Sequence, residues 1–260
     1  MHIVSLFFSW VVLPAALLIH TTSCTQPPTE SRFPLETEQR LSASRDTSGY
    51  VIKPPTDPNG IGKYYMGRQI AHVMGHEGAG WLERDDRQQE EGTDILLREL
   101  KLKPTDVVAD IGAGTGYFAF QMSPLVPQGK VLAVDIQPEM IAYLKENKAR
   151  NKVSNVEPIL STKQNPNLPP NSVDLVLIVD AYHEFDYPRE MMTAIRKSLT
   201  PTGRLALVEY RAEDVNVPIK RIHKMSIEQA RKEMAAVGLE FIESVESLPQ
   251  QHLMFFQRAD

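Results

Sequence analysis

Residues 107–117 read VVADIGAGTGY, an apolar strand-like run that closes on an acid and passes into a loop with three glycines. Gly112, Gly114 and Gly116 let the backbone turn sharply and come close to a bound molecule, because they carry no side chain. The helix expected after this loop begins with N–H groups that have no partner inside the helix, and such groups attract anions. The stretch therefore predicts a strand, a loop and a helix that bind a ligand together.

A second acid strengthens the prediction of a ligand that contains a ribose. Asp135 ends the next strand-like run, VLAVDI, and a carboxylate in this place can accept hydrogen bonds from both ribose hydroxyls. Loops that bind dinucleotides have the spacing GxGxxG. Here the third glycine comes one residue sooner and Asp110 closes the strand, and both differences argue against a nicotinamide dinucleotide.

From residue 106 onward, strand-like apolar runs alternate with helical segments. The strand-like runs are DVVADIG, KVLAVDI, VEPILS, VDLVLIVDA, GRLALVEY, LEFIESV and HLMFFQRA. Such a βαβ series predicts a parallel sheet covered on both faces, and the two adjacent runs at the end predict an antiparallel hairpin at the sheet edge. We therefore expect an α/β, Rossmann-like fold with a seven-stranded, mostly parallel sheet, helices on both faces and an antiparallel C-terminal edge hairpin.

Composition limits the number of domains and the class of substrate. The chain has 260 residues, of which 42% are hydrophobic and 23% charged, which suits one sizeable core with an extension. Its formal net charge is -5. No overall positive field draws it to phosphate backbones, so a small molecule or a protein side chain is favoured over a nucleic acid as its partner.

The N-terminal segment predicts export or membrane association. Residues 3–19 form an apolar run close to the length that spans a bilayer, and Cys24 stands where a bacterial lipoprotein signal is cut and lipidated. Residues 1–24 are therefore interpreted as a signal peptide or a membrane anchor, with the chain membrane-associated or exported. The nearest basic residues all follow the apolar run, which favours a third alternative, an anchor that leaves the domain facing the cytoplasm.

The rest of the chain divides by composition into a linker and one domain. Residues 25–60 are rich in Pro, Thr, Ser and Gly and predict a flexible linker. Residues 61–260 are assigned to the domain, with a helical lid over residues 61–100. Within the lid, helices are expected at residues 65–73 and 94–100.

Five sequence blocks together resemble the successive motifs of class I S-adenosylmethionine (SAM) dependent methyltransferases. They are Asp110, GAGTG, Asp135, NSVDLVLIVDAYHEF and LTPTGRLALVEY, and the resemblance covers residues 64–258. The blocks GHEGAGWLER and PNLPPNSVDLVLIVDAYHEFDYP look like a bacterial group of small, poorly characterised methyltransferase-domain proteins. The resemblance implies the reaction and SAM as cofactor, but not the methyl acceptor.

The same resemblance implies which residues contact SAM. Asp110 is expected near the amino group, and Asp135 on the ribose. The remaining contacts are expected from the loop backbone, beside the methionine part, and from two apolar residues near adenine: Gly112, Ala113, Gly114 and Gly116, then Ile136 and Met140. Many relatives carry an acid after the third strand that holds the adenine amino group, whereas this chain has the sequence STK at residues 161–163.

Catalytic groups are expected at the carboxyl end of the fourth strand, where VDAYHEF lies. Methyl transfer requires a positioned acceptor and, where the acceptor carries a proton, a base. His183 suits a base near neutral pH, and Glu184 can orient it or act alone. Asp180 is expected to contact the cofactor or the acceptor, and the Tyr182 ring to lie near the positive sulfur. The alternative is that His183 and Glu184 only shape the loop.

The segment PIKRIHKM supplies candidate substrate contacts. By resemblance, the stretch after the fifth strand lines the acceptor pocket, so that His223 and Lys224, with the neighbouring Lys220 and Arg221, would recognise an anionic acceptor. A polar surface linker is the alternative.

No metal site is predicted from the sequence. His72 and His76 are spaced as on one helical turn, but HVMGH lacks the glutamate of the HExxH zinc motif. A lid over SAM or the acceptor, held by Trp81, Glu83 and Arg84, is the preferred interpretation of this region.

Taken together, the motifs predict an enzyme that transfers a methyl group from SAM to a small-molecule acceptor. The alternatives are a protein side-chain methyltransferase and a non-catalytic SAM-binding sensor or interaction module. Arsenite chemistry is disfavoured because it uses several thiols and Cys24 is the only cysteine in the sequence.

Overall fold

The computed structural model describes residues 44–45 and 49–259, with side chains from residue 49 onward. The predictions for residues 1–24, including the lipidation of Cys24, lie outside the described residues. Among the helices that are described, none is long and apolar enough to cross a membrane.

A small antiparallel sheet precedes the larger one. Its four strands follow one another in the order of the chain: β1 (Ser44–Arg45), β2 (Tyr50–Ile52), β3 (Gly60–Tyr65) and β4 (Arg68–Ala71). Strand β2 lies inside the segment predicted as a flexible linker and pairs with β3, so this part of the linker prediction is wrong.

The helix predicted over residues 65–73 is also wrong, because the segment forms a hairpin. Tyr65 pairs with Arg68, which leaves a two-residue turn of Met66 and Gly67 with φ values of 50° and 101°. Two successive positive φ values match the right-handed twist of paired strands and fix a tight hairpin. Asn-Gly is the usual signal for this turn, and Met-Gly gives a weaker one.

Seven helices are distributed between the two sheets and around the second. They are α1 (Ala79–Leu82), α2 (Arg87–Glu91), α3 (Thr93–Glu99), α4 (Tyr117–Met122), α5 (Pro138–Arg150), α6 (Pro188–Ser198) and α7 (Ile227–Ala235) in the described part of the chain. Helix α3 confirms the helix expected at residues 94–100.

The larger sheet has the predicted architecture. Its strands are β5 (Val107–Ile111), β6 (Lys130–Asp135), β7 (Val156–Leu160), β8 (Val173–Val179), β9 (Leu199–Arg211), β10 (Lys224–Met225), β11 (Leu239–Val245) and β12 (Gln251–Arg258). Seven of them run in the order β7-β6-β5-β8-β9-β12-β11, and the short β10 pairs in parallel with the end of β9. Strand β12 is antiparallel to both β9 and β11, which confirms the C-terminal hairpin and leaves β11 at the edge.

The core lies on both faces of this sheet because neighbouring residues of a strand point to opposite sides. In β8, Leu175 and Leu177 pack on one face with α3, α4 and α5, while Val176 and Ile178 pack on the other with α6 and α7. Both sets are almost fully buried. The prediction of helices on both faces is confirmed.

A buried ion pair joins the small sheet to helix α7, which packs on the larger sheet. Arg68 of β4 donates two hydrogen bonds of 2.8 Å to the carboxylate of Glu233 in α7, which is fully buried. The same carboxylate accepts a 2.6 Å bond from the Tyr182 hydroxyl. The ion pair thereby connects β4, α7 and the segment after β8.

Candidate active site

A cavity of about 1240 Å³ opens at the carboxyl ends of β5, β6, β8 and β9. The chain leaves β5 toward β6 on one side and later returns to β8 on the other side, so the strand order reverses between β5 and β8. A crevice at such a reversal is the usual binding place in open α/β sheets, because the connecting loops diverge there. Most of the predicted cofactor and catalytic residues line this cavity: Gly112, Gly114, Asp135, Ile136, Met140, Asp180, His183 and Glu184.

The glycine loop adopts the conformation that its sequence requires. Gly112, Gly114 and Gly116 have φ values of 77°, 55° and 95°, a region that side chains disfavour. Gly112 and Gly114 line the cavity. Gly116 packs against Leu144, and Ala113 is buried, so these two support the loop from behind instead of lining the cavity.

Asp135 fixes the loop and lines the cavity. Its two carboxylate oxygens accept backbone hydrogen bonds of 2.9 Å from Gly114 and from Gln137. Burial raises the pKa of Asp135, while the backbone N–H groups oppose this increase. Ile136 and Met140 line the cavity with Asp135, as does the segment 161–163, where the resemblance leads one to expect an acid.

Asp110 is buried at the end of β5, directly before the glycine loop. Its Oδ2 has no hydrogen-bond partner among the described residues, and its contact with the SAM amino group stays a prediction. Burial raises its pKa to about 7; the charge of Arg87 opposes the increase, and that of Asp135 adds to it.

Asp180 directly follows β8 and lines the cavity between the glycine loop and the segment that contains His183. It has a φ of 47°, unusual for a residue with a side chain, and its Oδ2 accepts a 2.6 Å bond from Nε2 of Gln251. Its Oδ1 is buried with no hydrogen-bond partner among the described residues. Burial raises the pKa of Asp180 well above its usual range, and the acids Glu91 and Glu209 add to the increase.

His183 is held between an acid and a second histidine. Its Nδ1 lies 2.7 Å from Oε2 of Glu209, which is fully buried in β9, and its Nε2 lies 3.0 Å from Nδ1 of His223. Burial alone would lower the pKa of His183, but the charge and hydrogen bond of Glu209 raise it above the usual value. Burial and the nearby charge of His183 lower the pKa of His223 to about 4.

Glu184 contacts the segment after β4, and both line the cavity. Its Oε2 accepts a 3.1 Å bond from the backbone N–H of Met74, and its Oε1 lies 3.8 Å from Nε2 of His183. Burial raises the pKa of Glu184, and the charge of His183 opposes the increase. His183, Glu184 and His223 place their ligating atoms within 4.8 Å of one another, and this group could hold a metal ion.

The segment expected to act as a lid covers part of the cavity. Trp81 lines the cavity and stacks on Arg84, with the guanidinium carbon 3.9 Å from the ring centre. Glu83 accepts a hydrogen bond from Thr115 in the glycine loop. His72 lines the cavity, while His76 lies in a separate short turn, so the two histidines do not share a helix face.

Two residues predicted to bind the acceptor lie outside the cavity. Tyr182 is fully buried, donates its hydroxyl to Glu233 and is not among the residues that line the cavity, so the placement of its ring near the sulfur stays a prediction. Lys224 donates to the backbone carbonyls of Asp214 and Val217, so it braces the loop after β9. Lys220 and His223 of the same segment do line the cavity.

Glu209 lies against His183, in the group that also contains Glu184 and His223, and it was not predicted from the sequence. It is an acid inside the apolar run GRLALVEY, and a charge in a run that must be buried indicates a partner elsewhere in the fold. That partner, His183, lies in the loop after the neighbouring strand.

Comparisons with known proteins agree with this geometry. Residues 102–254 match the family described as a methyltransferase domain. An uncharacterized methyltransferase-like protein of Schizosaccharomyces pombe is 34% identical over 134 residues, which cover 51% of this chain and 49% of the relative. The uncharacterized methyltransferase YcgJ of Bacillus subtilis is 28% identical over 133 residues, 50% of this chain and 52% of the relative. The chain thus spans about half the length of these curated relatives.

A solved structure extends the likeness of the fold. The crystal structure of a SAM dependent methyltransferase from Aquifex aeolicus superimposes with a TM-score of 0.67 at 23% identity, and covers 71% of this chain and 98% of that chain.

Proposed function

The chain belongs to the class I SAM-dependent methyltransferases, and we propose that its methyl acceptor is a small molecule that binds in the cavity beside His183 and Glu184. The observation that carries this proposal is that one cavity contains both the glycine loop with Asp135 and the polar cluster after β8. Pockets for single small ligands usually measure about 300–1,000 Å³. A volume of about 1240 Å³ leaves room for an acceptor beside the cofactor.

The residues at the cofactor end fit SAM. Gly112 and Gly114 expose backbone without side chains, and each oxygen of Asp135 keeps a lone pair after its backbone hydrogen bond, which suits ribose hydroxyls. Ile136 and Met140 provide an apolar surface next to them. When bound, SAM supplies an electrophilic methyl group and leaves as S-adenosylhomocysteine.

The other end of the cavity suits an acceptor that loses a proton. Glu209 accepts a hydrogen bond from the Nδ1–H of His183. Nε2, on the side of His223, is therefore the ring atom that can take up a proton. Glu184 lies beside this nitrogen, and its raised pKa makes it a stronger base than an exposed carboxylate. Asp180 lies between the two ends and is proposed to contact the cofactor or the acceptor.

A small acceptor is favoured over a protein side chain by the way the cavity is covered. Trp81 and Leu82 contribute to its wall from the N-terminal side, and Ile219 and Lys220 from the loop after β9. These segments line the same cavity as Glu184. Lys220 adds a positive charge, which suits an anionic acceptor.

The proposal is tested by incubating the full chain with SAM that carries an isotopically labelled methyl group and with cell extract separated into small-molecule and protein fractions. We expect the label in the small-molecule fraction, together with S-adenosylhomocysteine. Glu184→Gln is expected to reduce labelling strongly, and the exposed Glu146→Gln serves as the matched control. Label in protein alone would replace the small-molecule acceptor, and SAM binding without any transfer would indicate a non-catalytic module.

A further inference from the structure

We propose that His183, Glu184 and His223 bind a divalent transition-metal ion in the acceptor half of the cavity. Binding of the ion follows from the arrangement of these three side chains alone, whereas its role in activating the acceptor rests on the proposed function. The family match assigns no such site.

The three donors lie within 4.8 Å of one another. Nε2 of His183 and Nδ1 of His223 lie 3.0 Å apart, with their ring planes at 80°, and Oε1 of Glu184 lies 3.8 Å from Nε2 of His183. Ligands of a tetrahedral zinc ion, bound at about 2.0–2.1 Å, are about 3.4 Å from one another. An ion that replaces the shared proton therefore requires the two nitrogens to separate by about a few tenths of an ångström and the Glu184 carboxylate to move closer to them.

Glu209 acts on His183 as an outer partner of a metal ligand does. Metal-binding histidines usually donate their other ring N–H to a carboxylate or carbonyl, which fixes the tautomer and directs the free nitrogen to the ion. Glu209 accepts at 2.7 Å from Nδ1 of His183 and at 3.2 Å from its backbone N–H. Because Glu209 is fully buried, the orientation of the ring is set by the fold and not by the ligand.

The local charge also favours a cation. Glu184 and Glu209 both place a carboxylate against the His183 ring. Two cations act on the histidines. Arg68 is engaged by Glu233 and donates to the backbone carbonyl of His183, and Lys220 donates to Asn59. A divalent ion would offset the excess negative charge at the cluster.

The donor set indicates which ion binds and what it does. Two imidazoles and one carboxylate suit Zn²⁺ and related transition metals, whereas Mg²⁺ and Ca²⁺ prefer oxygen ligands. Three protein ligands leave at least one position open, which is typical of catalytic sites. Because all three side chains line the cavity, a hydroxyl or thiol of the acceptor that bound the ion at an open position would lose its proton more readily.

The site is tested by calorimetric titration of the metal-stripped full chain with Zn²⁺, with Cys24→Ser in every protein to remove the only thiol. We expect one ion per chain and no comparable binding of Mg²⁺. His223→Ala and Glu184→Gln should each weaken Zn²⁺ binding by about tenfold or more. His76→Ala is the matched control and should bind as the parent does, because the half-buried His76 side chain faces Glu77 and is not among the residues that line the cavity. Unchanged Zn²⁺ affinity in His223→Ala or Glu184→Gln would overturn the site.

SAM binding by each variant, measured in the same way, shows that the variant is folded. If one of the two variants does not bind SAM, the Zn²⁺ affinity of the other variant tests the site, because the two residues belong to different loops. Labelling of the acceptor is then compared before and after chelation. Zn²⁺ binding without acceptor labelling would contradict the proposed function but not the proposed metal site. Acceptor labelling by a protein that does not bind Zn²⁺ would contradict the proposed metal site but not the proposed function.

Discussion

Oδ2 of Asp135 accepts a 2.9 Å hydrogen bond from the backbone N–H of Gly114. The acid that ends β6 and the loop that follows β5 are therefore held as one unit, although 21 residues separate them in the chain. A change on either side of this bond alters both the shape of the loop and the position of the carboxylate. The first two predictions follow from this coupling.

Gly114→Ala should weaken SAM binding by about tenfold, since a few kcal/mol of strain or displaced contact is enough for such a change. Its φ of 55° is strained for alanine, and the new Cβ would lie 2.5 Å from Cδ1 of Leu82, which lines the cavity. Calorimetry with SAM measures the effect. Gly80→Ala is the matched control, because no atom lies within 4 Å of its added Cβ. Equal affinities for the two variants would contradict the role of the loop.

Asp135→Asn should reduce SAM affinity by about tenfold or more, because a hydrogen bond to a charged group contributes about 1.5–3 kcal/mol. The amide keeps one acceptor oxygen but turns a donor toward Gly114 or Gln137, both of which are donors themselves. Calorimetry with SAM again gives the measurement. A variant that binds SAM as tightly as the parent would exclude Asp135 as the ribose ligand.

Glu209→Gln should lower the pKa of His183. In the parent, Glu209 raises this pKa against the effect of burial, so without the charge burial should dominate. Histidine side-chain NMR during a pH titration measures the change, with the exposed Glu157→Gln as control. A His183 titration that is the same in both variants would show that another group sets its pKa.

The same shift predicts how stability depends on pH. Because the folded-state pKa of His183 is raised, its stabilising contribution is fully present below the unfolded value of about 6.5 and is lost as pH rises through the folded value. Urea denaturation of the parent should therefore show this loss above pH 6.5, and Glu209→Gln should show less of it. The opposite slope would mean that His183 is neutral when folded.

Arg68→Met should lower the free energy of unfolding by about 3–5 kcal/mol, because it leaves the buried charge of Glu233 without its ion partner. The double variant Arg68→Met with Glu233→Leu should recover much of this loss. Urea denaturation provides the measurement, with Arg98→Ala as control, since its exposed ion pair with Asp94 contributes about 1 kcal/mol or less. A single variant as stable as this control would show that the ion pair does not fasten β4 to α7.

The sequence predicted the larger sheet well because the information is local. Alternating apolar runs, the glycines of residues 112–116 and the acid at the end of β6 each lie within a few neighbouring residues. The small sheet was missed because Met66 and Gly67 form a hairpin turn whose signal in the sequence is weak, and because β2 has only three residues and depends on its pairing with β3.

The sequence by itself determined the fold class, the glycine loop and the position of Asp135, because backbone conformation and burial impose short, regular patterns. It also indicated His183 as a candidate. Only the tertiary structure decided that His183 meets Glu209 and His223, which lie 26 and 40 residues away. It likewise turned Tyr182 and Lys224 away from the cavity. Side-chain partners across strands depend on packing over the whole sheet, and no local pattern specifies them.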